Sequence, residues 1–315
     1  MNKPAGKHLV LPYIDQDQDF WKKVRDLCGE QISEVYFPII DDEIPSGRPR
    51  QPEKHLKEFL ESGILPVSVL INPIILNRPV DYYTERVLGK LEYYSLNYRL
   101  TGVTLTNLTL GKRIREAFPN LKLAASTLME ITGEQQLRMI MDTFDIIVPP
   151  SRVIRDIRLL RSLRKSFHGT VRLMVNEACL ASCIFRNQHF YEMSDRGITH
   201  PGSLCNEVLE LNPWMRLTGG WILPQHLFLF RGLYDEIKLS GRVTLQRPAD
   251  FFRVLNGYLN DRELMPNEIG GGPASVNIPM PIGTAFYKHT LYCKKNCTSC
   301  NVCSDYWTFN AGRHV

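Results

Sequence analysis

Along this chain, short runs rich in alternating or continuous apolar residues are separated by stretches whose apolar positions recur every three or four residues. The first pattern reads as strand and the second as amphipathic helix, because side chains alternate faces in a strand and return with a period of about 3.6 in a helix. The strand-like runs cover residues 8–14, 34–40, 66–72, 102–107, 121–126, 144–149, 171–176 and 234–240. Helical patterns fill residues 17–31, 52–62, 80–97, 111–118, 134–143 and 152–166, most of them with Gly, Pro, Asn or Asp nearby. Eight strand-then-helix units within roughly 260 residues predict an α/β fold of the (β/α)8 TIM-barrel type. An open doubly wound sheet is the alternative, since spacing carries no strand order, but no Gly-x-Gly-x-x-Gly opens any of these helices. On the barrel reading, residues 1–262 form the barrel with an insertion at 177–221, and residues 263–315 form a cysteine-rich C-terminal extension.

Polar residues fall at the C-terminal ends of these runs, where barrel enzymes build their sites. Asp41, Asp42 and Glu43 follow the second run, Asn72 ends the third, Asn107 the fourth, and Ser126 with Thr127 the fifth. Arg152 follows the sixth, Asn176 and Glu177 the seventh, and Lys238 with Arg242 the eighth. Each residue alone is explained as a loop polar group or helix cap. Their agreement on one rim predicts a site. Alternation puts Glu236, Lys238 and Ser240 on one face of the eighth run, so Lys238 is expected inside the barrel, either binding a carboxylate or paired with Glu236.

Charge and composition narrow the setting. The net charge of +5 allows contact with RNA or an anionic metabolite without requiring it. The longest apolar stretch, near residues 65–76, is interrupted by Ser68, Asn72 and two prolines, so no membrane span is expected, and the N-terminal residues lack a signal-peptide core. A cytoplasmic location follows as an expectation. Arginine at every third position of 152–164 drifts around a helix, which suits a solvated outer face first and an RNA-contacting surface second.

The eight cysteines are not scattered. Cys28 sits at an apolar helix position and reads as core. Cys179 and Cys183 follow the seventh strand, Cys205 lies in the same insertion, and Cys293, Cys297, Cys300 and Cys303 crowd the tail. Such clustering points to metal rather than packing, and in a reducing compartment rather than to disulfides. Three barrel thiols suit an iron–sulfur cluster with an open iron, or a closed centre completed by His189, His200 or a tail cysteine. The tail spacing is strong for metal and weak for which metal: a second iron–sulfur cluster, zinc, or completion of the barrel site all fit.

Several of these residues carry a family resemblance. Ala125-Ser126-Thr127, the stretch Leu173-Met-Val-Asn-Glu-Ala-Cys-Leu-Ala-Ser-Cys183 with His189, Trp221-Ile-Leu-Pro-Gln-His-Leu227 and Glu236-Ile-Lys-Leu-Ser-Gly-Arg242 resemble motifs of the collagenase-like U32 peptidases. The resemblance covers nearly half the chain. It implies a barrel and, for many members, a 4Fe–4S cluster on four cysteines. For several members it implies oxygen-independent hydroxylation of RNA bases or ubiquinone precursors, with prephenate as the suggested oxygen source. Here only three cysteines precede the tail, which departs from that pattern.

The expectation is an iron–sulfur enzyme tailoring a small metabolite or RNA base. Cys179, Cys183 and Cys205 would hold the cluster, and Lys238 and Arg242 an anionic substrate or co-substrate, with Asn176, Glu177 and His189 completing the site. The electron donor is not legible. A peptidase is the alternative, although no Gly-x-Ser-x-Gly or His-Glu-x-x-His is present. A third reading is a binding barrel with structural metal.

Overall fold

The computed structural model describes residues 7–48, 53–177, 179–194, 203–241, 244–270 and 278–311. The eight strand-like runs become eight parallel strands: β1 His8–Pro12, β2 Ile32–Pro38, β3 Val67–Ile71, β4 Leu100–Leu105, β5 Lys122–Ala125, β6 Ile146–Ile147, β7 Thr170–Met174 and β8 Glu236–Lys238. Each pairs with the next, and β8 returns to β1 through Leu9 opposite Ile237, so the sheet closes into a barrel rather than an open doubly wound sheet.

Between the strands lie α1 Gln18–Cys28, α2 Leu56–Ser62, α3 Val80–Asn97, α4 Leu108–Ala117 and α5 Glu134–Ile140. Their starts follow local chemistry: Asp17 accepts from the Phe20 amide and Asn107 from the Leu110 amide, each satisfying one of the free donors at a helix N-terminus. The single helix expected over 152–166 is two, α6 Ser151–Ile154 and α7 Ile157–Ser166. Asp156 takes an extended conformation and caps the Arg158 and Leu159 amides, restarting the helix. Arg155, at the break, is buried instead of solvated.

Strand alternation sorts the side chains into two cores of different character. Leu9, Leu11, Val35, Phe37, Val69, Leu173 and Ile237 face outward and pack under the helices against Trp21, Phe59, Leu91, Leu160 and Tyr258. Cys28 belongs to this layer, as its helix position implied. Val10, Tyr36 and Leu70 form a separate small apolar cluster. They alternate with the outward-facing set, so they lie inside the barrel, beside buried polar residues Glu34, Ser68, Thr104, Arg172 and Lys238.

After β7 the chain inserts α8 Arg186–Ser194, α9 Ser203–Leu211 and a short helical segment, Pro213–Thr218, before β8. Beyond β8 come α10 Pro248–Asn260, α11 Thr284–Thr290 and α12 Val302–Ala311. The C-terminal extension is continuous with the main core: Ile278, Met280, Phe286, Tyr287 and Leu291 are buried in it, and the Tyr287 hydroxyl donates to the Trp221 carbonyl at 2.9 Å. Pro213–Thr218 touches both α9 and α12. Among the described residues, no helix is long and apolar enough to cross a membrane.

Candidate active site

Among the described residues, Glu34, Arg172, Glu236 and Lys238 form a charged group facing into the barrel. Arg172, only 1% exposed, donates to Glu34 at 2.7 Å and to Glu236 at 2.8 Å, while the Ser68 hydroxyl donates to the same Glu34 oxygen at 2.7 Å. Burial alone would raise the Glu34 pKa, but the Arg172 charge and the hydrogen bonds from Arg172 and Ser68 hold it below the usual carboxylate range. The Glu236 expected to pair with Lys238 therefore binds Arg172, which lies directly across the β7–β8 ladder from it.

Lys238 lies one pleat further along β8, on the same face. It has no hydrogen-bond or ion-pair partner among the described residues. Its ammonium nitrogen lies 4.2 Å from the centre of the Tyr36 ring, whose hydroxyl donates to the Leu239 carbonyl at 2.8 Å. Burial first, then the Arg172 charge, push its pKa down to about 7, against the pull of Glu34 and Glu236.

Around this lysine, the C-terminal ends of the strands carry buried polar atoms without partners among the described residues. They are Asn72 Oδ1 after β3, Thr104 Oγ1 in β4, Thr127 Oγ1 after β5, Glu177 Oε2 after β7, and Arg186 Nη2 at the start of α8. Buried polar groups are otherwise almost always hydrogen-bonded, so a set of orphans at one mouth is the mark of a place where a polar ligand or water completes them. Arg186 also donates to Glu130 at 2.7 Å and Glu177 at 3.2 Å. The Arg48 guanidinium, like that of Arg186, lies near the Phe190 ring. Both also depress His189, whose pKa is lowered mainly by burial.

The other expected site residues fall into distinct settings. Asn176 spends its whole side chain on a clamp: its amide donates to the Ser240 and Ile269 carbonyls at 2.9 Å each, and its oxygen accepts from the Ser240 amide and hydroxyl. His189 lies on α8 beside Phe190, with ring centroids 5.2 Å apart. Arg242 and His200 lie outside the described residues.

Cys179 and Cys205 each lie within electrostatic reach of Cys183. Backbone bonds explain the approach of these segments: Leu180 bridges Gly219, the Gly220 amide donates to the Cys179 carbonyl, and the Ala181 amide donates to the Thr218 carbonyl. Gly220 is required there, since an added Cβ would stand 2.3 Å from the Ser151 Cβ. All eight cysteines are free thiols. Among the described residues, no three His, Cys, Asp or Glu side chains are gathered tightly enough for a single metal ion.

Arg172, Glu34, Arg186 and Glu130 are absent from the sequence-derived site. Arg172 and Glu34 alternate with outward apolar neighbours, the same signal that placed Lys238 inside. Arg186 and Glu130 carry no such signal, because Arg186 opens α8 and Glu130 lies in the loop after β5, outside the strand alternation.

A concavity at the opposite, N-terminal end is lined by Lys122, Asp145, Arg164, His168 and Asp235. Its charges are largely satisfied internally, through Arg164 to Asp235 at 2.8 Å and Arg115 to Asp145 at 2.5 Å.

No family model matches the chain. A curated relative, the uncharacterized protease MJ1657 of Methanocaldococcus jannaschii, is 28% identical over 171 residues, covering 49% of this chain and 50% of the relative. The match thus spans about half of that protein's length. The solved structure of the U32 peptidase Mk0906 superposes with a TM-score of 0.54 at 15% identity, covering 76% of this chain and 96% of the other. The superposition bears on fold, and it matches the closed barrel found here.

Proposed function

We propose that the chain is an enzyme working at the C-terminal mouth of the barrel, and that it carries out redox tailoring of a small anionic metabolite or an RNA base. Oxygen-independent hydroxylation is the reaction we favour. The observation that carries this reading is Lys238, a buried amine with no hydrogen-bond or ion-pair partner among the described residues, at a mouth that holds buried unsatisfied polar atoms.

With its pKa near 7, Lys238 holds or releases a proton without a large free-energy cost at neutral pH. The Arg48 charge also reaches Lys238 and favours an anionic group beside it. Thr104, Thr127 and Asn72 offer hydroxyl and amide groups that would orient that ligand. The Arg172, Glu34 and Glu236 network fixes the floor of the site.

Cys179, Cys183 and Cys205 fit an iron–sulfur cluster in donor chemistry. They are three free thiols within electrostatic reach of one another through Cys183. When bound, such a cluster supplies electron transfer or an open iron site. The test is anaerobic purification with iron and sulfide analysis of the parent and of Cys179→Ser with Cys183→Ser. Iron and sulfide that fall in the variant support the reading, and iron-free parent protein, where a control cluster survives, overturns it.

Peptide hydrolysis is the second reading, favoured by the words protease and peptidase in the names of the two matched proteins. Lys238 would then serve as the base for water. Peptide cleavage that persists in the cysteine variant and is lost in Lys238→Met would select it.

A further inference from the structure

Arg155 is 4% exposed and has no carboxylate partner among the described residues. Its guanidinium donates to the Leu217 carbonyl at 3.0 Å and the Thr290 hydroxyl at 2.7 Å, and stacks near Trp221 and Tyr287 at 5.3 and 4.9 Å. These groups are neutral, and Nη1 has no acceptor. A buried cation balanced only by dipoles and ring faces is costly, and a missing anion is the simplest account of it.

The tail supplies a source of that anion. Cys303 packs against the same core, on the helix α12 that touches Pro213–Thr218, the segment whose Leu217 carbonyl Arg155 holds. Arg155 acts electrostatically on the Cys303 thiol, and so do Cys293, Cys297 and Cys300. Between the first two of these cysteines, Lys295 takes a left-handed turn with φ of 57° and its amide donates to Cys293 Sγ at 3.2 Å. Amide donation to a cysteine sulfur from two residues on stabilises a thiolate, which a metal also requires.

We infer that Cys293, Cys297, Cys300 and Cys303 form a metal–thiolate centre of their own, and that Arg155 is its buried counter-charge, pinning the tail to the barrel. Binding expels the four thiol protons to solvent and leaves a centre of net negative charge, whether the metal is a single zinc ion or an iron–sulfur cluster. Among the described residues, no three such donors are gathered tightly enough for a single ion.

This inference stands apart from the assignment at the barrel mouth. The experiment compares metal and acid-labile sulfide in the anaerobically purified full chain, in the tail variant Cys293→Ser with Cys297→Ser and Cys300→Ser, and in the barrel variant Cys179→Ser with Cys183→Ser. The barrel variant is expected to keep the tail centre and the tail variant to lose it. Iron with sulfide in the barrel variant identifies a cluster, and zinc without sulfide a single ion. Arg155→Gln is expected to lose the metal to a chelator several-fold faster than the parent, and Arg155→Lys to restore retention. A tail variant with undiminished metal overturns the proposal. So does a folded barrel variant that holds none and takes up neither zinc nor iron with sulfide.

Discussion

The ammonium nitrogen of Lys238 and the ring of Tyr36 meet face-on at 4.2 Å inside the barrel. The contact is weak compensation for a buried charge, since a cation over an aromatic face contributes about 0.5–2 kcal/mol. Lys238 therefore stays close to losing its proton, and that property is measurable.

Folding lowers the Lys238 pKa from 10.5 to about 7, so between these values the unfolded chain binds the extra proton and stability rises with pH. Below pH 7 the penalty is fully present. Lys238→Met is expected to raise the melting temperature at pH 6, with the advantage over the parent shrinking steadily toward pH 10. Parallel pH profiles for the two proteins would refute this.

Arg172 answers two carboxylates, and its removal strands both. Arg172→Leu is expected to cost about 3–5 kcal/mol in urea unfolding, as when one partner of a buried pair is deleted. Adding Glu34→Gln should recover part of the loss. An Arg172→Leu protein as stable as the parent would mean that the network contributes nothing.

Asn176 joins the ends of β7 and β8 through Ser240. Asn176→Ala removes the partner of the Ser240 amide and of the Ser240 and Ile269 carbonyls and is expected to destabilise by about 1–3 kcal/mol. Amide hydrogen exchange at Ser240 should accelerate with it. Unchanged exchange there would show that the clamp does not hold the mouth.

Gly220 has no room for a methyl group, because Ser151 occupies the space. Gly220→Ala is expected to cost about 1–3 kcal/mol through overpacking and to displace the segment carrying Cys179. Ser151→Gly in the same chain should restore much of the stability. Failure of that rescue would place the strain elsewhere.

Much of the architecture was legible in the residues. All eight strands lie where the two-residue period put them, and residues 80–97 form a helix with the boundaries the pattern implied. The expected helix over 152–166 failed at Arg155, where a third-position arginine read as solvated turns inward to Leu217 and Thr290, residues distant in the chain. Lys238 was legible as an interior residue, but its expected partner was not. Glu236 is two residues away on the same face, yet Arg172, across the ladder, takes it.

Local periodicity depends on backbone geometry that repeats every two or about 3.6 residues, so amino-acid order alone determined the strands, most helices and the face each side chain takes. Whether the sheet closed, which charge met which, and which polar atoms were left over depended on strand order and loop path. Those contacts join residues tens to hundreds of positions apart, such as Glu34 with Arg172 at a separation of 138, and only the tertiary structure brings them together.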